Sequence, residues 1–162
     1  MQLNYTEKRD TLVSNPTTTT LTGTVDVNVD ARKAWQLVGN FGGFNHFITG
    51  LHKIEMTGEG VRSVRKKFFE DGNVVIEQLN SHDDKNMVMT WSLIYTSFNI
   101  GNLWASMRVE PLSENSSRVT WDIAGEPWDM AAGGQPGFEE FVNGFLDMAM
   151  TNIKEILEAK TH

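Results

Sequence analysis

The last quarter of the chain limits most sharply what it can fold into. From Phe138 to Leu157, apolar residues fall at Phe138, Phe141, Val142, Phe145, Leu146, Ala149, Ile153, Ile156 and Leu157. Steps of three and four are the period of a helix with one buried face. Asn152 comes seven residues after Phe145 and three after Ala149, so an amide stands in the apolar stripe. A buried amide needs hydrogen-bond partners. It either bonds a nearby backbone group or faces a ligand from the wall of a cavity. A helix this long with one greasy face requires a large apolar surface to cover it.

The preceding residues supply that surface as strands. Leu21 to Val29 alternates, and Asp30 is a credible N-cap for a short helix from Ala31 to Val38. The Gly42-Gly43 pair breaks that helix, and no lysine and hydroxyl follow it as a phosphate loop would require. Strands are predicted over Leu51 to Thr57, Val61 to Phe69, Val74 to Asn80, Asn86 to Tyr95, Asn102 to Glu110 and Ser117 to Glu126. Asp71-Gly72 marks a hairpin, and Pro111 is expected to end its strand. Sequential strands with tight turns imply an antiparallel sheet, and its inner face is what the last helix covers. Met1 to Thr19 shows no periodicity and is expected to be a separate segment, a loose, flexible arm or an added edge element, leaving residues 20–162 as the domain.

Composition narrows the function classes. The 162 residues suffice for one domain with its own core. The net charge of −7 argues against a nucleic-acid partner, which needs a basic face. The chain has no cysteine, no apolar run of membrane-spanning length and no signal-peptide core, so a cytoplasmic protein is expected. His46, His52, His82 and His162 show no metal-ligand spacing, so neither metal nor cofactor is expected. There is no Gly-x-Ser-x-Gly elbow and no thiol nucleophile, so an enzyme would work by acid/base groups without a covalent intermediate.

Several residues could carry such chemistry. Alternation puts Val75, Glu77 and Leu79 on one face of a strand and Val74, Ile76 and Gln78 on the other. Both faces are partly apolar, so which is inside stays open. If Glu77 is inside, desolvation would raise its pKa toward the acid/base range. Trp91 and Tyr95 lie on the richest apolar stripe and would form core or cavity wall, with the Tyr95 hydroxyl as a polar or catalytic group. Phe141, Phe145 and Met148 are candidate walls from the helix. Asp122 points away from the apolar face. Arg62, Arg65, Lys66 and Lys67 form the one basic cluster, which reads as a solvated strand surface or as an attraction for an anionic ligand.

Three stretches, Ala34 to Leu51, Gly58 to Phe68 and Asp71 to Asp84, together resemble the START-like superfamily. That group includes bacterial polyketide cyclase/dehydrases, birch-pollen-allergen-like proteins and plant abscisic acid receptors. The resemblance covers roughly Leu21 to Lys160 and implies the α+β helix-grip fold: a curved, antiparallel seven-stranded sheet wrapped around the long C-terminal helix, with short helices after the first strand. It implies that Glu77 lines a pocket, that Asn152 faces the ligand and that His46-Phe47-Ile48 borders the pocket entrance, with Asn45 where the plant receptors carry a lysine. The receptor gate is replaced by Glu70-Asp71-Gly72-Asn73, and the latch is not recognisable in Thr96 to Gly101. The function so implied is binding of a hydrophobic small molecule in an internal cavity, in a polyketide cyclase/dehydrase-like role. The alternative is a noncatalytic carrier of a lipid or aromatic metabolite. The partner is then the small molecule, with the protein a monomer or homodimer.

Overall fold

Turn chemistry and alternation set the strand order. A computed structural model describes residues 16–131 and 133–159, so most of the expected N-terminal arm, residues 1–15, lies outside the described residues, as does His162. Strand β1 (Leu21–Val27) leads into helix α1 (Ala31–Val38) and a 3₁₀ segment (Phe41–His46) kinked at Gly43. Strands β2 (Leu51–Thr57), β3 (Val64–Phe69), β4 (Val74–Asp83), β5 (Val88–Thr96), β6 (Asn102–Ser113) and β7 (Ser116–Glu126) follow, and helix α2 (Gly134–Glu158) closes the chain. Among the described residues these strands form one seven-stranded antiparallel sheet in the order β1-β7-β6-β5-β4-β3-β2. Asp30 caps α1 as expected, its carboxylate accepting from the Lys33 backbone N–H at 2.9 Å.

Among the boundaries that differ from the sequence expectation, three have a plain physical reason. Pro111 does not end β6, which runs on through it to Ser113. The Val109 N–H donates to the Met87 carbonyl, so the nitrogen two residues on points the same way, past the end of β5. A residue without an N–H costs nothing there. Strand β3 starts at Val64 rather than Val61, because Arg62 takes a left-handed φ of 75° that no strand accommodates. Helix α2 begins a turn early, at Gly134, with Pro136 in the first turn, where its missing N–H is one that has no helical partner anyway.

The inner faces of β4 to β7 and one face of α2 meet in the core. Phe138, Val142, Leu146, Ala149, Met150, Ile153 and Leu157 are buried on the helix. At about 1.5–3 kcal/mol for each large apolar side chain, this burial and not helix propensity holds α2 in place. Phe141 and Ile156, expected in the stripe, are exposed. The helix approaches β1 and β7 closely because both carry glycine: a Cβ on Gly125 would stand 2.7 Å from the Phe138 ring, and one on Gly23 would stand 3.0 Å from the Leu146 Cβ. Behind the helix, Phe44, Phe47, Trp91 and Trp121 pack edge to face or tilted, with ring centroids 4.8–6.3 Å apart.

Candidate functional site

The β3–β4 hairpin builds the polar part of the site. Its loop is Glu70-Asp71-Gly72, with the Phe69 N–H donating to the Asn73 carbonyl and Gly72 at φ 90°. That three-residue loop sets Arg65 opposite Glu77 and Lys67 opposite Val75. All three charged side chains project to the inner face, and their side chains are 0–5% exposed. Glu77 Oε1 accepts from Arg65 Nε at 3.0 Å and stands 3.0 Å from Lys67 Nζ. The solvated basic strand surface expected from the sequence is therefore wrong for Arg65 and Lys67.

Arg65 is an anchor. Its guanidinium lies 3.9, 4.1 and 4.9 Å from the ring centroids of Phe41, Phe44 and Trp91, and Nη1 donates to the Phe41 carbonyl at 2.8 Å. It thus ties the 3₁₀ segment to the sheet. The cluster holds two cations and one anion. Burial alone would raise the Glu77 carboxyl, but the charges of Lys67 and Arg65 outweigh it and hold Glu77 below the usual carboxylate range. The expected upward shift of Glu77 is thus reversed, because burial brought its counter-ions with it. Burial pulls the Lys67 ammonium down to about 8, Glu77 resists the fall, and Arg65 adds to it.

Glu77 and Lys67 form the polar wall of a pocket of about 80 Å³ between sheet and α2. The rest of the wall is apolar, with Leu93, Leu103, Ala105 and Ile123 on the sheet and Val142 on the helix. Trp91 and Trp121 line it too, and the buried Trp121 indole N–H has no hydrogen-bond partner among the described residues. Phe69, Phe98 and Phe141 close one end, with ring centroids 5.2 Å apart for Phe69–Phe98 and 5.8 Å for Phe98–Phe141. A shallower depression of about 280 Å³ lies outside that end, sharing Phe98, Ile100 and Phe141 with the pocket. Exposed apolar groups at or near this end include Tyr95, Trp128, Met130 and Phe141.

The sequence candidates separate cleanly. Glu77, Trp91, Phe141 and Phe145 line the pocket. Tyr95 does not: it is 56% exposed on the other face. The cause is a bulge in β5, where Ile76 pairs with Tyr95 but Glu77 pairs with Leu93, so Ile94 is an extra residue that reverses the alternation beyond it. Asn152 does not line the pocket either. Its amide donates to the Phe47 carbonyl at 3.1 Å and to the Thr49 hydroxyl at 3.0 Å, pinning α2 to the loop before β2. Met148 joins the same latch, its sulfur accepting from the Thr49 N–H at 3.3 Å. Asn45 and His46 are exposed and apart from the pocket. Asp122 points outward, as alternation requires, and pairs with Arg108. Sequence reasoning singled out Lys67 and Arg65 only as part of a basic cluster, without pairing them with Glu77, and missed Phe98 and Trp121. The hairpin register could have revealed that pairing.

A curved sheet gripped by one long helix, with an apolar pocket and a buried ionic wall between them, defines a helix-grip protein. The chain belongs to the family described as polyketide cyclase/dehydrase and lipid transport, whose model matches residues 18–158. Solved structures show the same fold. XoxI from Bacillus cereus superposes with a TM-score of 0.78 at 21% identity, over 88% of this chain and 99% of that one. A START superfamily protein from Mycobacterium smegmatis gives 0.74 at 14% identity, over 86% and 97%. The Zhui aromatase/cyclase from Streptomyces sp. R1128 gives 0.73 at 15% identity, over 86% and 93%. No curated protein matches the chain. Among the described residues no helix is long and apolar enough to cross a membrane, and no group of three or more histidines or carboxylates is placed to hold a metal ion.

Proposed function

We propose that the chain binds a small, mostly hydrophobic molecule between sheet and α2, with the polar end of that molecule against Lys67 and Glu77, in a polyketide cyclase/dehydrase-like role. The observation that carries this reading is a buried cluster of net charge +1 on the wall of an otherwise apolar pocket. An uncompensated cation in a dry site is costly unless a partner supplies negative charge or a strong acceptor. A carbonyl, enolate or phenolate oxygen on an apolar body meets both demands. In an aldol-type cyclisation the Lys67 ammonium would stabilise the developing enolate oxygen, and the walls would hold the flexible chain folded. Lys67 is the better proton donor of the pair, since Glu77 is held ionised.

The pocket is smaller than the ~300–1,000 Å³ usual for a ligand site, so a larger molecule must part Phe98 and Phe141 and extend toward the outer depression. A noncatalytic carrier would use the same space, and the tight pairing of Glu77 with two cations favours that second reading over one with Glu77 as a free acid.

The test is quenching of Trp91 and Trp121 fluorescence by an added apolar ligand, with native mass spectrometry of the complex. Ala105→Leu fills the pocket from a buried strand position and is expected to abolish binding while the circular dichroism stays unchanged. Binding that persists in Ala105→Leu would place the ligand elsewhere and sink the reading.

A further inference from the structure

Lys67 has the setting of an amine nucleophile, in a chain with no cysteine and no Gly-x-Ser-x-Gly elbow. We infer that the Lys67 amine captures an aldehyde or ketone of small apolar body as a Schiff base inside the pocket. This rests on the reading above that the pocket takes a ligand.

Geometry carries the inference. Lys67 is 4% exposed overall and lines the pocket, so its amine meets a pocket ligand and not bulk water. Glu77 on β4 is 3.0 Å from Nζ, and Arg65, two residues along β3, holds the same Glu77 oxygen. No other titratable side chain lines the pocket among the described residues, and α2 contributes only Phe141, Val142 and Phe145 there. Charge balance then brings the free amine within reach near pH 8. Arg65 does not lose its proton, so deprotonation of Lys67 leaves a neutral Arg65–Glu77 pair in place of a buried net charge. The same carboxylate remains as counter-ion to a cationic iminium. Burial pulling Lys67 down to about 8 agrees with this.

The chemistry balances without an oxidant or reductant. The Nζ lone pair attacks the carbonyl carbon and forms the C–N bond. Glu77 takes a proton from the nitrogen and returns it to the oxygen of the carbinolamine. With one further proton from solvent the C–O bond breaks, water leaves and the protonated imine remains. An amine, a carbonyl and a proton become an iminium and water.

The experiment treats the full chain with cinnamaldehyde and cyanoborohydride, which reduces iminium adducts, and locates the adduct by peptide mass spectrometry. Cinnamyl alcohol, which has the same apolar body but forms no imine, is titrated in parallel by tryptophan quenching. The expected result is one dominant adduct on Lys67, several-fold above Lys66 and the surface lysines, rising with pH through about 8. It should be lost in Lys67→Met, in the charge-preserving Lys67→Arg and in Ala105→Leu. Alcohol binding together with aldehyde labelling spread evenly over exposed lysines would overturn the Schiff base and leave the binding reading intact. Binding of neither compound would overturn both. Because the adduct is mapped on the wild-type chain, the outcome does not depend on any variant folding.

Discussion

At Glu77 two cations converge on one buried oxygen. Such a cluster is weak evidence of stability while intact but expensive to break, since removing one partner leaves an uncompensated charge. Glu77→Gln is therefore expected to lose about 3 kcal/mol in urea unfolding at pH 7. Lys67→Met, which leaves a neutral Arg65–Glu77 pair, is expected to be neutral or stabilising in the same measurement. Comparable losses in both variants would mean that the cluster needs Lys67 as much as Glu77 and would sink this charge balance. The pH dependence carries a definite sign. Between pH 8 and 10.5 the unfolded chain still holds the Lys67 proton that the folded chain has released. The stability of wild type relative to Lys67→Met should then rise with pH across that window, by on the order of 3 kcal/mol, and be flat below it. A difference that is flat throughout would show that Lys67 titrates normally.

Among the elements, α2 is the one whose placement makes the pocket. Its buried face grips β1 and β7 where glycines admit it, and Asn152 fastens its C-terminal half to the segment after the 3₁₀ turn. Asn152→Ala removes two hydrogen bonds and is expected to cost about 1–2 kcal/mol in thermal or urea unfolding, while ligand affinity stays within twofold. A selective loss of affinity at unchanged stability would restore Asn152 to the site. The β3–β4 hairpin shows how an element's length decides chemistry. A two-residue Asp71-Gly72 loop would pair Lys66 with Glu77. The observed three-residue loop slips the register by one and brings Arg65 opposite Glu77, with Lys67 on the same face.

For the whole molecule, the sheet and helix enclose a space whose one apolar end is shut by three phenylalanines. Phe141 is 52% exposed, so it covers the pocket without being held by the core. Phe141→Ala is expected to cost roughly 1 kcal/mol and to speed ligand association in stopped-flow tryptophan quenching at least several-fold. An unchanged association rate would mean that ligand enters by another route. A bound ligand adds stability as its concentration exceeds Kd, so a ligand-dependent rise in Tm, absent in Ala105→Leu, would link pocket and fold in one measurement.

The order of elements, the antiparallel sheet, the cap of α1 and the apolar stripe of α2 were legible in the sequence, because periodicity and turn residues are local properties. So was the candidacy of Glu77, Trp91, Phe141 and Phe145. Tyr95 was misplaced because a single extra residue in β5 reverses every face beyond it, and bulges leave no local mark. Asn152 was legible as an inward amide, yet its partner lies about a hundred residues away in the loop before β2. The ionic wall was hidden for the same reason. Sequence alone determined that a helix must cover a sheet and which residues could face inward. Only the tertiary structure decided which face of β3 and β4 was inside, and burial of that face turned three ordinary charges into a mutually perturbed cluster.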